Sequence, residues 1–309
     1  MISLDLSEYT KVIPEKKVGY VALIGRPNSG KSTFINTLIH EKISAVSNKP
    51  QTTQKTIKGI YNDDDSQIIF FDTPGIHESK EAMNIIINAQ AINSLKDADI
   101  VVRFIDISRP YGEEEVAIAK LLENVNKPII TVYSKTDISC KERTVKVPKD
   151  SEAEPITPPT VVNPFFVSSE QKTGLEVLVQ EIKKHLVMGP LFYSEDYYTD
   201  QDMETRIREV IREKLFLLLE DEIPYDTFVE IEEIEEKGDL LKILAVVHVE
   251  KDSQKTIIIG KRAEKLQEIG TLARKDLEKI FERKVFLLVR VKTHPHWKKN
   301  KGILKRHFM

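Results

Sequence analysis

Gly25-Arg26-Pro27-Asn28-Ser29-Gly30-Lys31-Ser32 reads G-x-x-x-x-G-K-S, the spacing of a phosphate-binding P-loop. Its flanks fit that reading. Tyr20-Val21-Ala22-Leu23-Ile24 ahead of it is the unbroken apolar run of a buried strand, and Thr33-Phe34-Ile35-Asn36-Thr37-Leu38-Ile39 behind it is helical. Strand, tight loop and helix N-terminus together aim several main-chain N–H groups and the positive end of a helix dipole at one anion. Lys31 would reach the β- and γ-phosphates, and the Ser32 hydroxyl would ligate Mg²⁺, with Thr33 beside it.

Working outward, short apolar runs alternate with helical patterns from Val18 to about Leu186. Ile68–Phe71, Ile100–Ile105, Pro128–Tyr133 and Pro164–Val167 are strand candidates, apolar on both faces, and helices are expected near 80–96, 113–125 and 174–187. This predicts an α/β, doubly wound, mainly parallel sheet with its ligand at the strand C-termini. Three further loops fall there. Asp72-Thr73-Pro74-Gly75 is a D-x-x-G loop whose carboxylate would hold Mg²⁺ through water while the Gly75 N–H approaches a γ-phosphate. Ser134-Lys135-Thr136-Asp137 supplies a carboxylate able to accept from N1–H and N2–H₂ of guanine, a donor pair adenine lacks, with the Lys135 stem along the base. Ser168-Ser169-Glu170 offers main-chain N–H groups to guanine O6.

The chain of 309 residues suits two domains, with 40% hydrophobic and 31% charged residues and a net charge of −3. A single cysteine, Cys140, excludes an intramolecular disulfide framework and fits a reducing cytoplasm. The N-terminus lacks the apolar core of a signal peptide, and no apolar run is long enough to span a bilayer. Lys141–Asn163, with four prolines and no helical period, is expected to be irregular. The first domain covers 17–188, and 189–202, centred on LFYSEDYYTD, reads as a linker. From 203 to 292 the pattern becomes α-β-β-α-α-β, a compact α+β unit. The last stretch, 293–309, is a basic tail: from Lys292 onward there are six Lys/Arg and no acid, a footprint for nucleic acid or anionic lipid.

At this point the chain resembles the Era GTPases, bacterial ribosome-assembly factors, over nearly its whole length. The resemblance rests on GRPNSGKS (25–32), PQTTQ (50–54), DTPGI (72–76) and SSEQKTG (168–174), then on IREVIREKLF (207–216), EIPY (222–225) and the run from Ile257 to Phe281. It implies GTP/GDP and Mg²⁺ as ligands, Thr53 as the switch I residue closing on Mg²⁺ with Thr52 as a neighbouring candidate, and Asn28 as recruiter of a catalytic K⁺. It also implies a type II KH fold for the second domain, whose G-x-x-G position is Gly260-Lys261-Arg262-Ala263, with Lys265 nearby. The implied partners are the 3′ region of 16S rRNA and the 30S subunit, for a monomeric cytoplasmic protein with peripheral contact to the inner face of the membrane. Two positions depart from the family pattern: Ser134 opens the guanine motif, and Ala263 replaces the last loop glycine.

The expected activity is hydrolysis of GTP by a switch that binds RNA, with Lys31, Thr53, Gly75 and Asn28 serving the chemistry. Ile76 occupies the position where Ras-type GTPases place a water-orienting glutamine, so basal turnover should be slow, on the order of 10⁻⁴ s⁻¹. The alternative reading is an RNA-binding module with a weak or vestigial nucleotide site.

Overall fold

The computed structural model describes residues 15–76, 82–138 and 163–308. Cys140, nearly all of the 141–163 excursion and residues 77–81 after the D-x-x-G loop lie outside them.

The first domain is built on a seven-stranded sheet. Its strands are β1 (Glu15–Gly25), β2 (Ile57–Asn62), β3 (Ser66–Asp72), β4 (Ile100–Asp106), β5 (Ile129–Ser134), β6 (Phe165–Val167) and β7 (Val187–Pro190). The order is β2-β3-β1-β4-β5-β6, parallel except that β2 runs antiparallel to β3, and β7 pairs antiparallel with the first residues of β1. Every residue of β3 and β4 is buried, which is why both read as unbroken apolar runs. Helices α1 (Lys31–Ile39), α2 (Ala82–Asp97), α3 (Glu113–Glu123) and α4 (Leu175–Lys184) cover the two faces. On α4 the stripe Leu175, Leu178, Val179, Ile182 enters the core at helical spacing.

Two expectations need correction here. The helix expected to reach residue 187 ends at Lys184, because Gly189 and Pro190 are poor helix formers and β1 offers an unpaired edge that Val187–Pro190 takes. Nor is 189–202 a free linker. The buried Gln67 side chain accepts from the N–H groups of Phe192 (2.8 Å) and Tyr193 (3.0 Å) and donates to the Tyr193 carbonyl (2.9 Å). The Ile60 N–H donates to the Tyr198 carbonyl at 2.9 Å, so this segment lies along β2 as part of the first domain. β2 itself escaped the sequence pattern, since its interior Gly59 weakens a short edge strand.

The second domain consists of α5 (Met203–Leu218), β8 (Thr227–Lys237), β9 (Leu240–Val249), α6 (Asp252–Ile259), α7 (Glu264–Phe281) and β10 (Lys284–Thr293). Its sheet has the order β10-β9-β8, with β10 parallel and β8 antiparallel to β9. The odd-numbered residues of β9 from Leu241 to Val249 face the core with Ile207, Ile211 and Leu215 of α5 and Ile269, Ala273 and Leu277 of α7. That alternation is what made the strands legible.

The basic tail is folded. A 3₁₀ turn (Trp297–Lys299) leads into α8 (Lys301–Phe308), and Trp297, Leu304 and Phe308 are buried with Phe228 of β8 and Met83 and Ile87 of α2. The Trp297 indole N–H donates to the Asp226 carbonyl at 3.2 Å, and Lys298 pairs with the Asp226 carboxylate. Burial of these three large apolar side chains outweighs the solvation of the intervening cations, of which Lys299, Lys301, Lys305 and Arg306 turn outward. The segment thus wedges between the domains. A second bridge joins Lys42, after α1, to Glu213 of α5 (2.7 Å) and Asp276 of α7 (2.6 Å), and the Val46 N–H donates to Glu213 at 3.2 Å.

Candidate nucleotide site

The P-loop joins β1 to α1, and a cavity of about 160 Å³ opens over it. Its wall is Pro27 to Thr33, residues 45–48 and 51–53 of the segment after α1, Gly75 and Lys135. Lys31 is buried, and its ammonium donates to the carbonyls of Gly25 (3.2 Å) and Arg26 (3.0 Å). Burial pushes its pKa down to about 8, with Asp72 opposing the shift and Arg109 adding to it. A cation so poorly solvated gains most from an entering polyphosphate.

Beside it lies a second feature. The Ser32 and Thr53 hydroxyl oxygens are 3.0 Å apart, although 21 positions separate them in sequence. Asp72, fully buried at the end of β3, has no hydrogen-bond partner among the described residues on either carboxylate oxygen. Burial raises its pKa, while the nearby Ser32 hydroxyl and Lys31 ammonium pull it down. A buried carboxylate without partners is expensive unless a cation or its water shell completes it. Two hydroxyls and a carboxylate are hard oxygen donors, the set Mg²⁺ prefers, so the residues present fit that ion. Thr52 is turned elsewhere: its hydroxyl contacts Ser47 at 2.6 Å and donates to the Lys49 carbonyl at 2.8 Å, bracing the loop internally.

Gly75 packs directly on the P-loop. A Cβ there would sit 2.4 Å from the Pro27 nitrogen and 2.5 Å from its Cα, so no other residue fits without moving the loop. Ile76 donates its N–H to the Gly25 carbonyl at 3.4 Å, and its side chain packs with Ile24, Phe71 and their neighbours in the apolar cluster under α2 and α3. Asn28 holds φ +60° and donates from Nδ2 to the Asn48 carbonyl at 2.6 Å, tying the P-loop to the segment that carries Thr53. Gly25 and Arg26 present their main-chain carbonyls to Lys31. The Arg26 guanidinium turns away from the cavity to pair with Glu114 and with Glu115 (2.8 Å) on α3.

At the other end, the Ser134 hydroxyl donates to the Ser29 carbonyl at 2.6 Å, latching β5 to the P-loop. A side-chain hydroxyl suffices for this latch, which gives the departure at position 134 a structural meaning. Lys135 pairs with Asp106 at 2.8 Å. Asp137 accepts from the Ser168 hydroxyl, whose oxygen also accepts from the Gln171 N–H at 3.0 Å, so the turn through Ser169 and Glu170 is anchored to the guanine-motif carboxylate. Of these residues Lys135 reaches the cavity wall, whereas Asp137 and Ser168, bonded to each other, do not line it. Sequence reasoning missed Asp106 and Arg109. The signal was available, since Asp106 ends β4 at the same sheet edge as the other loops.

In the second domain Gly260 (φ +72°), Arg262 (+53°) and Ala263 (+64°) all take positive φ between α6 and α7. Lys261 and Arg262 are exposed, and Lys265 is half-buried against Gly260. Among the described residues no helix is long and apolar enough to cross a membrane.

Comparison with known proteins agrees with this geometry. A family model described as a 50S ribosome-binding GTPase matches residues 20–135, and a KH domain model matches 222–298. A GTPase Era of Caldanaerobacter subterraneus subsp. tengcongensis is 39% identical over 94% of this chain and 97% of its own. One from Borreliella burgdorferi is 37% identical over 94% and 99%. A crystal structure of Era in complex with MgGDPNP and nucleotides 1506–1542 of 16S ribosomal RNA superposes with a TM-score of 0.84 at 32% identity, covering 94% of this chain and 98% of that one. An Aquifex aeolicus Era variant bound to GDP and AlF₄⁻ gives 0.83, also at 32% identity and with the same coverage. With a P-loop GTPase domain, a C-terminal KH domain and full-length relatives of this similarity, the chain belongs to the Era GTPase family.

Proposed function

We propose that this chain is a guanine-nucleotide switch that hydrolyses GTP, binds the 3′ region of 16S rRNA through its KH domain, and assists 30S subunit assembly. One observation carries the reading: Ser32 and Thr53 meet at 3.0 Å beside the unpartnered Asp72, so the segment after α1 closes on the ion-binding end of the cavity. Ser32, Thr53 and Asp72 would hold Mg²⁺, which when bound would supply charge neutralisation at the β- and γ-phosphates. Lys31 would exchange its carbonyl partners for phosphate oxygens. The Gly75 N–H, fixed against Pro27, faces the γ-phosphate, and Asp137 with Lys135 and the 168–170 turn takes the guanine base. Ile76 offers no hydrogen-bonding group to water, which supports slow basal turnover.

The closed loop is also the element tied to the KH domain. Lys42 and Val46 on either side of Ser44 bond to Glu213 and Asp276, so ordering around the γ-phosphate is felt by α5 and α7. Gly260, Lys261, Arg262, Ala263 and Lys265 would clamp the RNA backbone. The exposed Lys299, Lys301, Lys305 and Arg306 add phosphate contacts, or contacts to the inner face of the membrane. The Asn28 carbonyl is the group that would hold K⁺, and equal turnover in K⁺ and Na⁺ buffers would remove that role. For the whole reading, a labelled 16S 3′ fragment is titrated with protein carrying GTP, GDP or no nucleotide. Nucleotide-dependent affinity is expected; RNA binding indifferent to nucleotide would overturn the switch.

A further inference from the structure

The carboxylate of Asp106, at the end of β4, is almost fully buried, and two groups lock its orientation: the Ser108 N–H and hydroxyl donate to Oδ1 at 2.9 and 2.6 Å. The other oxygen faces two cations, Lys135 at 2.8 Å and the Arg109 Nε at 3.2 Å. Burial alone would raise its pKa, but Lys135 and Ser108 outweigh that and hold it below the usual carboxylate range, so the site stays charged. From the far side of Arg109, Nη2 donates to the Pro27 carbonyl at 2.6 Å. Pro27 is the residue on which Gly75 is stacked. Two ion pairs and one hydrogen bond therefore lead from the base-side lysine through Asp106 and Arg109 to the Pro27 main chain under Gly75.

We propose that Arg109, oriented by Asp106, is a positioning residue for GTP hydrolysis: it fixes the Pro27 carbonyl, and through it Asn28 and Gly75, in the geometry the transition state needs. Arg109 does not line the cavity, and its hydrogen bond to the P-loop is the one to the Pro27 carbonyl, so its positioning role runs through that group. This rests on the hydrolytic reading above. In that reaction a water oxygen bonds to the γ-phosphorus as the bond to the β–γ bridging oxygen breaks. The electron pair stays on GDP and the water proton leaves with inorganic phosphate. No side chain at position 76 can orient the water, so the placement of the Gly75 and P-loop amides carries more of the burden. Base binding and γ-phosphate placement share Asp106, which explains why an arginine outside the cavity is braced against a residue of the guanine motif.

The test compares the parent with Arg109→Ala, Arg109→Lys, Asp106→Asn and the Asp106→Asn/Arg109→Ala double variant, by steady-state phosphate release and by equilibrium binding of GDP and of GDP·AlF₄⁻. Arg109→Ala should lower kcat by about ten- to a hundredfold, the scale of a small misplacement of reacting groups, and weaken GDP·AlF₄⁻ similarly. GDP affinity should stay within about twofold, which also reports folding. Arg109→Lys, able to bond one of the two partners, should fall between. Because the pair acts as one unit, the double variant should be no slower than the slower single. An Arg109→Ala protein with unchanged kcat, or one whose loss appears equally in GDP affinity, overturns the proposal. So does an additive double variant. A parent that binds guanine nucleotide without hydrolysing it sinks the hydrolytic reading and this proposal together, whereas a parent that turns over beside an unimpaired Arg109→Ala sinks this proposal alone.

Discussion

Both domains place an anion-seeking loop at the start of a helix, and both loops need a left-handed residue at the N-cap. In the P-loop that residue is Gly30, at φ +94°; in the KH loop it is Ala263, at φ +64°. The first loop is roofed by Gly75 and the segment after α1, and its lysine is buried. The second lies open, with Lys261 and Arg262 in solvent. Enclosure is the difference that matters. In a closed site each partner is desolvated and each missing contact is felt in full, whereas an open cationic loop works by counterion release and tolerates an imperfect backbone. Left-handed strain itself does not separate the two sites, since Asn28 (φ +60°) and Lys135 (φ +59°) take that region on the cavity wall; the penalty for a missing contact does.

Four measurements press on that comparison. The largest effect should come from Lys31→Ala, which removes the buried cation of the P-loop: GTP turnover should drop by at least about a hundredfold, read as phosphate release. If RNA binding and turnover were both untouched, the nucleotide site would be vestigial and the contrast empty.

Next is pH. The Lys31 pKa of about 8 lies below its ordinary value near 10.5, so between these limits the folded protein holds fewer protons than the unfolded chain. Stability of the nucleotide-free protein should then rise with pH across that window. Nucleotide reverses the preference, because the phosphates hold the ammonium form. Binding takes up a proton above pH 8, and GTP affinity should fall by about tenfold per pH unit there, as calorimetry in a series of buffers would reveal. An affinity flat from pH 7 to 9.5 would mean that the lysine is not desolvated.

The open loop predicts something gentler. Replacing Lys261 and Arg262 together by alanine should weaken single-stranded RNA of any sequence and reduce the slope of log affinity against log salt by about 1.4, the loss of two phosphate contacts. A change confined to one RNA sequence would contradict a purely electrostatic role. The smallest effect is Ala263→Gly. Relief of left-handed strain, set against the larger entropy of an unfolded glycine, should stabilise the protein by roughly 0.5 kcal/mol in urea unfolding. Destabilisation would show that the alanine methyl makes a contact worth more than the strain.

The family resemblance and the four strand-end loops were readable because phosphate and base recognition need fixed residue types at fixed offsets from a strand or a helix N-terminus. The KH topology was readable from the switch in hydrophobic period, two in β9 and helical in α5 and α7. The C-terminal segment was misread for a physical reason. Its cations dominate its composition, while Trp297, Leu304 and Phe308 find their partners in Phe228, Met83 and Ile87, more than sixty residues away along the chain. The stretch 189–202 was misread similarly, since its backbone bonds are to Gln67, Asn62 and Ile60.

Taken alone, the sequence determined the P-loop, the D-x-x-G loop, the Ser134–Asp137 loop after a strand and the alternation of elements, all of which depend on neighbours within a few positions. Only the tertiary structure decided that Thr53 rather than Thr52 meets Ser32, that the Arg26 side chain pairs with α3, and that Asp106 and Arg109 link Lys135 to Pro27. Those outcomes depend on which side chains meet across elements distant in sequence. Burial decides their energies, and no local pattern encodes it.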